Sequence, residues 1–277
     1  MLRALSILCL IWGFNFVVMK TASNFFSPEM FVTCRFSLGA AVLLLVAFIR
    51  KLPLPPKKLW GWIFLSGAFQ ISFCSMLVQF CFQFLNAGLV SMLNYTMPVW
   101  VTILAYFFLK EPLTAKKIFG IALSIFGVSV LMNVDLSGRF FAMLLALLAA
   151  VVWAVGNVIM KAKLSGCEPV ALTTWQMTIA AILLATYTLI FGNTQVNWTV
   201  TAVACLLYNG ILASALAFFI WAYILMHMDA SKASISVLAV PVVSVISGVI
   251  CLGEPLTVTM IFGMAMVLSG IFLVQHS

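Results

Sequence analysis

Apolar residues in this chain come in runs of roughly twenty, each closed by a short polar break. The runs occupy 4–23, 29–49, 60–83, 87–109, 114–132, 139–160, 169–191, 200–225, 230–251 and 256–274. A helix rises about 1.5 Å per residue and needs about 20 apolar residues to cross the hydrocarbon of a bilayer. Each run therefore predicts one spanning helix. The fold class expected is an all-α membrane protein of ten transmembrane helices. The breaks are turn-like: SPE near 27–29, RKLPLPPKK at 50–58, LNAG at 85–88, KEPLT at 110–114 and GNTQVN at 192–197.

The pattern repeats. Trp12, Met19, Lys20 and Pro28 recur 141 residues later as Trp153, Met160, Lys161 and Pro169. Asn15 and Asn157 match if one position slips. Gly67, Ala87, Ser91 and Pro98 recur 143 residues later as Gly210, Ala230, Ser234 and Pro241. Glu111-Pro112-Leu113-Thr114 returns as Glu254-Pro255-Leu256-Thr257, and Gly120 and Gly127 as Gly263 and Gly270, at the same offset. The chain thus divides into two five-helix units, 1–135 and 136–277.

An odd number of helices per unit forces the second copy to enter the membrane upside down. The loop charges agree. RKLPLPPKK after the second helix carries four basic residues and its counterpart GNTQVN none. After the fourth helix the first copy has Lys110, Lys116 and Lys117, while GEPLTVT has none. After the third helix the order reverses, LNAG against HMDASK with its Lys232, and after the first helix the second copy gains Lys163. The basic loops then share one face. The positive-inside rule makes that face, and both termini, cytoplasmic in a multi-pass protein of the cell membrane. Lys20 and Arg139 fall near the outer face, and Arg35 within a span.

Composition narrows the class. Hydrophobic residues are 65% of the chain and charged residues 7%, against about 25% charged in soluble domains. The net charge of +8 is accounted for by loop clusters, so no nucleic-acid partner is implied. The seven cysteines, Cys9, Cys34, Cys74, Cys81, Cys167, Cys205 and Cys251, form no C-x-x-C pair and support neither a metal site nor a disulfide framework. Arg3 precedes an apolar stretch as in a signal peptide, but the stretch runs on to Met19 without a small-residue cleavage site and reads as the first span. No cofactor is expected. The expected partners are the bilayer and a small-molecule substrate, with the chain a monomer or weak dimer.

Two inverted units meeting about an axis in the membrane plane can rock to expose a central site to either side in turn, as many secondary transporters do. The residues also resemble a known family. WGFNFVVMK at 12–20, Pro28 with Arg35 seven residues on, NYTMPVW at 94–100, and LKEPLT at 109–114 echoed by LGEPLT at 252–257 are similar to the EamA-type members of the drug/metabolite transporter superfamily. The resemblance covers nearly all of the chain. It implies a ten-helix basket with a central cavity that exports or exchanges amino acids or similar metabolites. Gln176 stands where the first copy has Arg35, so any role for that charge is not symmetric.

Polar groups at membrane depth are the candidate substrate contacts. Asn15 and Asn157, with Trp12 and Trp153 nearby, read either as a cavity wall or as inter-helix hydrogen bonds. Pro98 and Pro241 lie mid-span. Proline crowds the carbonyl four residues back, which for Pro98 is that of Asn94, beside Tyr95. This reads as a ligand surface with hinges, or as a packing kink. Arg35, roughly 9 Å into its span, either snorkels or faces the cavity to attract a carboxylate. Lys20 is expected to snorkel. Gln70, Gln79 and Gln83 on the third helix and Asn209, Trp221 and Tyr223 on the eighth supply further candidates, of which Gln79, Asn209 and Trp221 join Gln176 in the proposed set. Trp60 and Trp198 fit an interfacial belt. The EPLT repeats read as helix starts with proline in the first turn, and the spaced glycines as close-packing points.

All six acidic residues, Glu29, Glu111, Asp135, Glu168, Asp229 and Glu254, fall at span ends or in loops. With no carboxylate mid-membrane, the cargo expected is zwitterionic or anionic, moved by facilitated diffusion or exchange. A cationic-drug exporter is the alternative, and a non-transporting sensor or scaffold a further one. An intramembrane enzyme lacks a nucleophile–base pair or metal cluster, since His227 and His276 both lie near the cytoplasmic face.

Overall fold

A computed structural model describes residues 2–132, 138–227, 237 and 239–275. Its regular elements are helices: α1 (Leu2–Ala22), α2 (Pro28–Ile49), α3 (Lys57–Cys81), α4 (Ala87–Leu109), α5 (Ala115–Met132), α6 (Gly138–Lys163), α7 (Pro169–Phe191), α8 (Val200–His227), α9 (Ala239–Leu252) and α10 (Val258–Gln275). One β-bridge, Phe26 with Val196, ties the α1–α2 turn to the α7–α8 turn. Seven of the helices, α1–α4 and α6–α8, are long and apolar enough to cross a membrane; α9 and α10 are apolar but shorter. The expected span at 230–251 begins outside the described residues.

Local chemistry sets the helix starts. Ser27 caps α2 by accepting from Met30 N–H, and Glu168 caps α7 by accepting from Ala171 N–H at 2.6 Å, each followed by a proline at the first position. Asn86 caps α4 and Thr199 caps α8 in the same way. The EPLT repeats depart from expectation. Their prolines precede the helices, which begin at Ala115 and Val258, and Thr114 and Thr257 are the caps. The reason lies one residue upstream of each glutamate. Lys110 (φ 57°) and Gly253 (φ 64°) turn left-handed, ending the preceding helix, and the chain must extend before it can coil again.

Two central helices are not regular. α3 widens into a π-helix over Gly67–Phe73, and α8 over Tyr208–Leu216. The stretches hold Gly67 and Gly210, equivalent positions in the repeat. A Cβ on Gly67 would lie 2.7 Å from the Gln176 carbonyl of α7, and one on Gly210 2.6 Å from Leu38 of α2. Glycine thus admits a neighbouring helix at the bulge, and π-bulges favour functional positions. α4 is broken, with Ala87–Asn94 and Met97–Leu109 meeting at a turn over Tyr95 and Thr96. Pro98, expected as a mid-helix kink, sits in the first turn of the second piece, where its missing N–H costs nothing. Pro241 likewise stands near the start of α9.

The packing crosses between the halves. α1 lies on α9 and α6 on α4; α2 lies on α7; α8 packs on α1 and α2, and α3 on α6 and α7. α5 and α10 pair with each other, Gly127 facing the Val267 N and Gly263 O backbone. Lipid tails are as apolar as leucine, so such contacts rest on close approach and hydrogen bonds. Phe107, Phe108, Ile190, Phe191 and Ile250 stay exposed on the outside, where acyl chains would cover them.

Candidate functional site

A cavity of about 60 Å³ lies between α1, α2, α3, α4, α6 and α8. Six of the sequence candidates line it: Trp12, Asn15, Arg35, Asn94, Tyr95 and Trp153. Their aromatic rings form one wall. Trp12 and Trp153 meet edge-on at 5.6 Å, and Phe218 lies 5.7 Å from Trp12 and 5.5 Å from Trp153. Trp12 donates to the Ala213 carbonyl at 3.1 Å, which fixes its ring. Phe16 meets Tyr95 at 6.0 Å, and both also line the cavity.

Arg35 does not snorkel. It is buried, with Nη1 donating to Asn209 Oδ1 at 3.0 Å and to Met19 Sδ at 3.1 Å, and Nη2 to Ser75 Oγ at 3.4 Å. The guanidinium also stacks over Phe36 at 4.3 Å. These partners are all neutral, so its charge is solvated by dipoles and not cancelled. A buried cation in that condition is an attractor for an anionic group.

Four polar atoms of the residues lining the cavity are buried without a hydrogen-bond partner among the described residues: Asn15 Oδ1, Asn94 Oδ1, Arg35 Nε and Trp153 Nε1. Two accept and two donate. Buried polar groups are nearly always satisfied, so four such atoms on one cavity wall single it out as the candidate site.

The other candidates lie off the cavity. Asn157 Oδ1 accepts from Gln70 Nε2 at 2.5 Å and from Trp221 Nε1 at 3.0 Å, while its Nδ2 donates to Met97 Sδ at 3.4 Å. Gln176 donates to Ser66 Oγ at 2.7 Å. Gln79 donates to the Met19 carbonyl at 3.3 Å, and Asn209 holds Arg35. Tyr223 is exposed and stacks on His227 at 4.3 Å; Gln83 is exposed beyond the end of α3. His276 lies outside the described residues. Lys20 does not reach for solvent: its Nζ donates to the Phe82 and Leu85 carbonyls at 2.5 and 2.9 Å, in the turn that follows α3, where backbone carbonyls lack helical partners. Trp60 bonds the Pro55 carbonyl and packs on Trp175 at 5.0 Å, and Trp198 is exposed beside Phe26.

Phe16, Ser75, Val78, Ala213 and Phe218 also line the cavity, and nothing in the pattern of the chain singles them out. Met19 carried a signal, its recurrence as Met160, but an apolar residue inside an apolar run does not announce that its sulfur receives both Asn15 and Arg35.

The family model of the EamA-like transporter family matches residues 3–133 and again 140–275. A Bacillus subtilis protein named uncharacterized transporter YoaV is 32% identical over 272 residues, covering 95% of this chain and 92% of that one. A probable amino-acid metabolite efflux pump of Escherichia coli is 30% identical over 277 residues, covering 95% and 90%. A solved crystal structure matches with a TM-score of 0.73 over 98% of this chain and 95% of its own, at 17% identity, which speaks for the fold alone.

Proposed function

The chain belongs to the EamA-like transporter family, and from that premise we propose that it carries a small zwitterionic or anionic metabolite, an amino acid or close derivative, through the central cavity by alternating access. The observation that carries this reading is the set of four unpartnered groups on the cavity wall. A zwitterion satisfies all of them at once. Its carboxylate takes the N–H of Arg35 and the indole N–H of Trp153, and its ammonium gives protons to Asn15 Oδ1 and Asn94 Oδ1. The aromatic wall of Trp12, Trp153 and Phe218 receives an apolar side chain. Arg35 makes the cavity positive, which disfavours a cationic drug. That related proteins are named amino-acid metabolite efflux pumps accords with this cargo.

In this reading α5, α9 and α10 also cross the membrane, giving ten spans. The two halves are inverted, and the termini are cytoplasmic. The reciprocal packing of α1 on α9 and of α6 on α4 supports an exchange of equivalent surfaces about one axis. The broken α4 beside the cavity is the kind of discontinuous helix that secondary carriers place at a substrate site.

Counterflow in proteoliposomes tests the reading. Vesicles loaded with a neutral amino acid and given a radiolabelled panel outside should accumulate label with no pH gradient. Accumulation of a lipophilic cation in place of amino acids overturns it, as does amino-acid transport that stops when the pH gradient is collapsed.

A further inference from the structure

Beside a surface recess lined by Lys20, Asn86 and Glu254, the halves are joined by a carboxylate. Glu254, after α9, reaches across to the start of α4: Oε1 accepts the Ala87 N–H at 2.6 Å, and Oε2 accepts the Gly88 N–H at 3.1 Å. Asn86 Oδ1 accepts the next one, Leu89 N–H, at 2.8 Å. The free donors and positive pole of a helix start suit a carboxylate. The approach is built into the backbone. Gly253 turns left-handed, and the Glu254 N–H returns to the Gly248 carbonyl at 3.2 Å, which ends α9 and aims the side chain at α4. A Cβ at Gly248 would stand 2.6 Å from Oε2, so a side chain there would push the carboxylate out of this position. Ser244 of α9 adds a bond to the Ala87 carbonyl at 3.4 Å.

Lys20 adds a second link beside this one. It closes the end of α3, borders the same surface recess as Asn86 and Glu254, and follows Met19 of the cavity wall directly. Glu254 lies in the family match 140–275, and Ala87, Gly88 and Lys20 lie in 3–133.

We propose that this recess is one mouth of the cavity, and that the bonds from Glu254 to the N-terminus of α4 are a lock that holds it shut and breaks when the cavity opens to that side, which is outer in the orientation proposed above. This goes beyond the transport reading, since it assigns a closing residue remote from the cavity. The equivalent motif in the first half has the same turn. Lys110 is left-handed, the Glu111 N–H returns to the Ala105 carbonyl at 3.2 Å, and Lys161 donates to the Leu225 carbonyl at 3.2 Å as Lys20 does to Phe82. The equivalents of Ala87 and Gly88, residues 230 and 231, lie outside the described residues. Glu111 therefore serves as a control at the opposite end.

Pulsed spin-label distances test the lock without reference to transport. Labels go on the exposed positions Asn24 and Leu256, one in each half, in a cysteine-replaced background reconstituted in nanodiscs without added substrate. Glu254→Gln should raise the long-distance population about tenfold, the effect of losing a charge-assisted bond. Gly248→Ala, which crowds the carboxylate without changing its charge, should do the same, and Glu111→Gln should not widen this mouth. Unchanged distances in both Glu254→Gln and Gly248→Ala overturn the lock. Equal widening in Glu111→Gln also overturns it, because it would mark general loosening. Failure of the counterflow assay alone leaves these distances as the decisive measurement.

Discussion

Asn15 and Asn157 occupy equivalent places in the two halves, yet they meet opposite conditions. Asn157 is fully buried, and its carbonyl oxygen takes two hydrogen bonds, from Gln70 and Trp221. The carbonyl oxygen of Asn15 takes none among the described residues, and Asn15 lines the cavity. The repeat explains the contrast. The position equivalent to Gln70 in the other copy is Ala213, and the position equivalent to Trp221 is Val78; both are apolar, and both line the cavity beside Asn15. Two partners retained at one site make a closed polar core. The same two replaced by smaller apolar residues leave space and an unspent acceptor. Arg35 and Gln176 repeat the lesson. Gln176 ends on Ser66, while Arg35 keeps Nε free after bonding Asn209, the residue equivalent to Ser66. In the function proposed above, the first half binds and the second braces: among the described residues of the cavity wall, only Trp153, Ala213 and Phe218 come from the second copy.

Replacing the charge at the heart of the binding half should have the largest effect. Arg35→Met keeps the volume and removes the carboxylate attractor, so counterflow of an amino acid should fall by about 100-fold, the loss of about 2–3 kcal/mol of charge-assisted bonding. Transport within a few-fold of the parent would show that the cavity does not hold its cargo through Arg35.

The asparagine pair comes next and separates the halves directly. Asn157→Ala strands Gln70 and Trp221 and should lower stability by about 2 kcal/mol, seen as a drop of several degrees in Tm. Asn15→Ala strands little in the protein; it should leave Tm within about a degree and weaken substrate affinity about tenfold. Equal thermal losses in the two variants would erase the distinction between bracing and binding.

The smallest change transplants a bracing residue. Ala213→Gln puts an amide where Gln70 sits in the equivalent cluster, within reach of Asn15. Affinity should fall about threefold to tenfold while Tm holds or rises, since a buried acceptor gains a donor. A variant with unchanged affinity would mean that Asn15 is not a ligand.

The sequence by itself determined the class and the plan of this protein. Runs of about twenty apolar residues leave lipid as the only fitting solvent, and the echo of Trp12, Lys20, Pro28 and Glu111 in Trp153, Lys161, Pro169 and Glu254 makes the doubling plain. These features are periodic and local, so they can be read along one dimension. Six of the eleven residues put forward as substrate contacts reach the cavity wall for a similar reason, since a polar group in an apolar run is conspicuous wherever the helix faces. Tertiary structure decided which conspicuous groups are already spent. Whether an amide is free depends on residues far along the chain: Gln70 for Asn157, Asn209 for Arg35, and Glu254 for the start of α4. The widened turns in α3 and α8 were hidden as well, because a π-helix is bought by close packing of Gly67 and Gly210 against a neighbouring helix, and no local propensity encodes it.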